Sequence, residues 1–105
     1  MMKSEWYKWI AGHSTELSQL NITPRQAQIL LEAYRGGTNG IGSAIAMYDG
    51  TFVTKDDSDL CDLTVRNPPL IHWLDSFHSC LALTKDGIKV IEQNETLFVS
   101  IAERK

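Results

Sequence analysis

Apolar and polar positions along this chain follow two different periods. From Ser4 to Leu20 the period is helical. Trp6, Trp9, Ile10, His13, Leu17 and Leu20 share one face, while Lys8, Glu16 and Gln19 are left for solvent. Gly12 costs about 1 kcal/mol relative to alanine inside a helix, which allows two pieces, the second capped by Ser14. The signal sharpens at Thr23. Thr23 can cap free backbone N–H groups, Pro24 at the first helical position wastes no donor, and Gln26 can reach back to close a capping box. Ala27, Leu30, Leu31 and Tyr34 then recur at i, i+3, i+4 and i+7, and Gly36-Gly37 ends the run. After Thr38-Asn39-Gly40 the same spacing returns at Ile41, Ala44, Ile45 and Tyr48. Two short amphipathic helices joined by a glycine-containing turn predict a helix-turn-helix.

Beyond Gly50 the period shortens. Thr51–Thr54 and Leu63–Val65 are β-prone, with polar Lys55-Asp56-Asp57-Ser58-Asp59 between them, so the expectation is a hairpin with an acidic loop. Asn67-Pro68-Pro69 can open a third helix whose apolar side is Leu70, Ile71, Leu74 and Phe77. His72, Asp75 and Ser76 would then face outward and Trp73 would be half exposed. The remainder reads as a β-meander. Cys80–Thr84 alternates, Lys85-Asp86-Gly87 supplies a tight turn, and Ile88–Ile91 continues in β-branched residues. Asn94-Glu95 turns again before Leu97, Val99 and Ile101. The rival reading makes 86–93 a helix. Ile88, Val90 and Ile91 favour a strand.

Thr23-Pro24-Arg25-Gln26, Ile29-Leu30, Gly37 and Ile45-Ala46 together resemble the start of the helix-turn-helix of bacterial transcription regulators. Separately, Leu81-Ala82-Leu83-Thr84-Lys85-Asp86-Gly87 is similar to the segment that follows the recognition helix in winged-helix proteins. The resemblance implies an α+β fold in which N-terminal helices, including the helix-turn-helix, pack on a small antiparallel sheet. It also implies that an extra terminal helix serves dimerisation. The insert between Gly50 and Arg66 departs from a minimal winged helix.

Composition narrows the class. A chain of 105 residues reads as a single domain over 1–105, with room for a core. Apolar content of 43% against 22% charged is that of an ordinary globular protein, which argues against wholesale disorder. No apolar run reaches the roughly 18 residues of a membrane span, and no apolar leader stands at the start, so cytoplasmic residence without membrane contact is expected. Cys61 and Cys80 are then most simply buried free thiols.

Catalytic and metal chemistry find little footing. Asp56, Asp57, Asp59 and Asp62 lack the glycine and distal glutamate of a calcium loop. His13, His72, His78, Cys61 and Cys80 show neither a Cys-x-x-Cys nor two histidines at helical spacing, which a zinc site would use. A Cys80–His78 nucleophile pair would want a third, orienting group. The Gly36–Gly42 cluster has no lysine and no preceding strand, so it is turn chemistry rather than a phosphate loop. No enzyme and no cofactor are expected.

Two binding functions remain. In the first, the chain is a small regulatory module that binds a protein partner or its own copy. The candidate surfaces are the aromatic cluster Trp6, Tyr7 and Trp9, or the acidic loop at Asp56, Asp57 and Asp59. In the second, it is a DNA-binding regulator. Asn39, Ser43 and Met47 would face outward from the second helix, with Arg25, Arg35, Arg66, Lys85 and Lys89 on phosphates. The net charge of −3 and the lack of any cation on that helix tip the balance to protein binding.

Overall fold

The computed structural model describes residues 12–42, 44–47, 50–94 and 97–98. Trp6, Tyr7, Trp9, Ser43 and Tyr48 lie outside them, as do Val99 and Ile101 of the expected last strand. The architecture is α+β: helices packed with a small antiparallel sheet and a separate short hairpin. Helix α1 covers 12–19 without a break, so Ser14 lies within a helix rather than capping one. Helix α2, Pro24–Gly36, begins as the sequence dictates. The Gln26 N–H donates to Thr23 Oγ1 at 3.1 Å and the Thr23 N–H donates to Gln26 Oε1 at 2.8 Å, closing the capping box. Gly37, at φ +60°, ends it.

Past Gly37 the expected second helix does not form. A 3-10 turn at Gly37–Asn39 leads into strand β1 (Ile41–Gly42), and β2 (Ile45–Ala46) follows. A spacing of three and four serves two short strands as well as one helix, and this stretch contains Gly40 and Gly42, which cost a helix stability. Long-range pairing decides the outcome: Ile41 lies opposite Leu81 and Gly42 opposite Cys80, while Ile45 pairs with Val53 and Ala46 with Phe52 of β3 (Phe52–Val53).

Three further expectations are corrected. The run taken for a hairpin loop caps helix α3 (Ser58–Val65). Asp57 accepts the Asp59 N–H at 2.9 Å and Asp59 sits in the first turn, where a carboxylate suits the helix dipole. Thr64 and Val65 are thus helical despite their β-branching. The third helix is replaced by β4 (Ile71–Trp73). A residue before proline is held extended, and with Asn67-Pro68-Pro69 in tandem no helix starts there. Finally, Lys85-Asp86-Gly87 is no turn. After β5 (Cys80–Leu83), helix α4 runs Lys85–Gln93, its first turn capped by Thr84 Oγ1 accepting the Gly87 N–H at 3.1 Å. Leu97 and Phe98 are helical and buried rather than extended.

The sheet order is β1-β5-β4, all antiparallel. Helix α2 lies at the centre: Gln26, Ala27, Gln28, Ile29, Leu30, Leu31 and Ala33 are all buried against β5, α3, α4 and β1. Leu17, Leu60, Leu63, Ile71, Leu81, Ile91 and Phe98 complete the core around it. Among the described residues no helix is long and apolar enough to cross a membrane.

Candidate interaction surfaces

Two regions carry most of the specific side-chain geometry. The first is polar and joins the starts of α2 and α3. Arg25 forks onto Asp57, with Nη2 at 2.9 Å and Nη1 at 3.2 Å, and Nη1 also reaches Asp59 Oδ2 at 2.8 Å. Beside it, the buried Gln26 amide donates to the Asp59 carbonyl at 3.1 Å and to Asp62 Oδ2 at 2.7 Å; Asp62 is also bound by Arg66. Burial pushes the Asp57 carboxyl up, but the Arg25 guanidinium and the backbone N–H groups of Asp59 and Leu60 outweigh it and hold it below its ordinary value. Asp62 is held low by Arg66 first and then by Gln26. Asp57 and Asp59 thus spend their charge inside the protein. Asp56 is exposed.

The same pairing thins the nucleic-acid footprint. Arg25, Arg35 and Arg66 each face a carboxylate, Arg35 bonding Glu32 at 3.1 Å. Lys55, Lys85 and Lys89 are exposed, as is Asn39. Met47, expected on an outward helix face, is buried in the core. Ser43 lies outside the described residues.

The second region is apolar and belongs to the β4–β5 hairpin. The register pairs His72 with Ala82, and Leu74, just past the end of β4, lies on the same groove as His72. With Ala33 and Tyr34 from the end of α2 and Ile88 from α4, they line a groove of about 230 Å³. Its walls are unusually open: Tyr34 is 44% exposed, Leu74 43% and Ile88 37%. Gly40 lets the backbone pass close to Leu74. At φ +77° it brings the backbone so close that a Cβ would lie 2.7 Å from Leu74 Cδ1 and 2.6 Å from the Leu81 carbonyl oxygen.

The hairpin's tip is tightly bound. The Leu74 N–H donates to the Cys80 carbonyl at 2.8 Å, and Asp75 Oδ1 accepts the N–H groups of Ser79 and Cys80 at 3.0 and 3.2 Å. The Ser79 hydroxyl bonds the other Asp75 oxygen, and with the two backbone donors it holds the Asp75 carboxyl below its ordinary value. The His78 ring stacks on Trp73, centroids 4.8 Å apart. Out of this braced loop Phe77 projects with 84% of its surface exposed. Leu74 and Phe77, which a helix here would bury, are loop residues and face outward. Cys61 is exposed rather than buried, and Cys80 is half-buried; both are free thiols. Among the described residues, no three His, Cys, Asp or Glu side chains converge as a metal ion would require.

Comparison with family models, characterised proteins and solved structures gives no match for this chain. The site must speak through its own chemistry.

Proposed function

We propose that this chain is a small non-enzymatic module that acts by binding protein, and that the β4–β5 hairpin face is the surface it uses. The observation that carries this reading is the concentration of open apolar side chains, Tyr34, Leu74 and Ile88, around one groove, with Phe77 exposed on the adjoining β4–β5 loop that hydrogen bonds brace. Apolar anchors held on a rigid support lose little freedom on binding, which is where interface affinity is usually lost. The engagement of Arg25, Arg35 and Arg66 by carboxylates favours this reading over duplex binding, which draws its affinity from free cations.

The test sets two variants against two ligands. Leu74→Glu places a charge in the groove. The wild-type chain should retain a protein from an extract of the cells that produce it, and the variant should lose that protein while keeping its circular dichroism spectrum. Retention by both alike refutes the assignment of the surface. If the chain instead shifts a DNA duplex with affinity that collapses as salt rises, and Lys85→Glu weakens the shift, the DNA-binding regulator is the better reading.

A further inference from the structure

The chain holds four asparagines, and their surroundings differ. Asn67 precedes Pro68, which has no N–H to offer. Asn21 precedes Ile22, branched and buried, and the Asn94 side-chain nitrogen is held by the Val90 carbonyl at 2.8 Å. Asn39 precedes Gly40. We propose that Asn39-Gly40 is a site of self-modification, at which the Gly40 backbone nitrogen displaces ammonia from the Asn39 side chain.

The step needs no reagent but water. The Gly40 amide gives its proton to hydroxide and attacks Asn39 Cγ. A bond forms between that nitrogen and Cγ, the Cγ–Nδ2 bond breaks, and ammonia leaves with a proton taken from solvent. Water then opens the resulting five-membered imide at one of its two carbonyls. Opening at Cγ leaves an ordinary aspartate. Opening at the backbone carbonyl leaves an isoaspartate, in which the chain runs through Cβ and Cγ. The side-chain amide is exchanged for a carboxylate either way, and nothing is oxidised or reduced.

Three features of the fold converge on this pair. Asn39 is exposed and, among the described residues, its side-chain amide makes no hydrogen bond, so it is free to turn towards the backbone. Residue 40 has no side chain to shield its nitrogen, and the fold requires that: at φ +77° a Cβ would lie 2.6 Å from the Leu81 carbonyl oxygen and 2.9 Å from Cys80 Sγ. The third feature governs the rate. The Gly40 N–H donates to the Gly37 carbonyl at 3.2 Å, which withholds the nitrogen while the turn is closed. That turn is three residues long, and β1 beyond it is a two-residue strand at the edge of the sheet. Short 3-10 turns and thinly paired edges open at low cost, so the nitrogen is released without global unfolding. The product adds a negative charge to a chain already at −3, and its isoaspartyl form lengthens the backbone just before Ile41 meets Leu81.

Peptide mapping of the full, folded chain after ageing in mildly alkaline buffer tests this. The peptide bearing residue 39 should gain one mass unit and divide into two products, faster than in mildly acidic buffer and ahead of the peptides bearing Asn21 and Asn94. An isoaspartate-specific methyltransferase should label that peptide in the aged wild type. It should leave the same peptide of Asn39→Gln unlabelled, because the longer side chain must close a six-membered ring. A folded chain whose Asn39 stays intact while chain unfolded in guanidinium chloride is converted overturns the proposal, since the bond to Gly37 then protects the site. Conversion that begins at Asn21 or Asn94 overturns it too, as does equal labelling of the Asn39→Gln peptide.

Discussion

Exchanging glycine for alanine at two helical positions should move stability in opposite directions. Gly12 and Gly87 both lie in helices, and alanine lowers the cost of a helical position by about 1 kcal/mol at either site. At Gly12 a new Cβ would meet nothing within 4 Å. The propensity gain stands alone there, and Gly12→Ala should stabilise by up to about 1 kcal/mol. At Gly87 the same atom would sit 2.1 Å from the Leu70 carbonyl oxygen, 3.0 Å from the Leu70 carbonyl carbon and 3.1 Å from Leu83 Cδ2. Two of those contacts are backbone, which cannot swing aside. That carbonyl also accepts the Thr84 N–H at 3.0 Å, so moving it disturbs the bond between the N-cap of α4 and the residue that leads into β4. Overpacking of this kind costs about 1–3 kcal/mol, and a 2.1 Å approach to a backbone oxygen puts this substitution in the upper part of that range, above the propensity gain. Gly87→Ala should therefore lose roughly 1–2 kcal/mol, or about 4–8 °C of melting temperature per kcal/mol in a domain of this size. Urea unfolding with an unchanged slope is the suitable assay, because it separates a change in stability from a change in the unfolded state. A Gly87→Ala chain more stable than wild type would refute the close approach of α4 to Leu70.

Two other perturbations probe the polar clamp and the thiols. Arg25→Ala removes the fork onto Asp57 and Asp59; partial exposure screens the pairs, so the loss should be about 1–2 kcal/mol near neutral pH. Because Asp57 titrates below its ordinary value of 3.8, its contribution to the clamp is present in full above that pH and disappears as pH falls through the lowered value. The gap between wild type and Arg25→Ala should accordingly narrow in acid, and denaturation curves showing an equal gap at low pH would contradict the clamp. A thiol reagent applied to the folded chain should modify exposed Cys61 faster than half-buried Cys80, as peptide mapping would reveal; the reverse order would misplace α3.

The helix at Pro24–Gly36 could be read residue by residue because its signals are local: a capping box, a proline and a glycine pair. The strand at Cys80–Leu83 was legible in the same way, from alternation bounded by polar residues. Elsewhere the deciding forces were distant. Ile41 and Ile45 suit helix or strand until Leu81 and Val53 arrive to pair with them. Ile88, Val90 and Ile91 carry β-branches, yet Thr84 caps them into a helix whose tight seat needs Gly87. There the rival helical reading of 86–93 matches the structure, and the cap was its overlooked signal. The acidic run was legible as charge but not as structure, since Arg25, its counter-ion, stands 32 residues away from Asp57. The groove could not be read at all. Its walls come from three elements, and Tyr34 and Leu74 look like core residues until the fold leaves them at the rim.

The central position of α2 has a bearing on how the chain comes together. Leu81 and Ile91, which help enclose residues 27–33, follow them by about fifty and about sixty positions. Until those contacts form the helix has no complete shelter, and no half of the chain can mature without the other. Folding that depends on such distant encounters is expected to be slower than for a bundle whose successive helices close one upon the next.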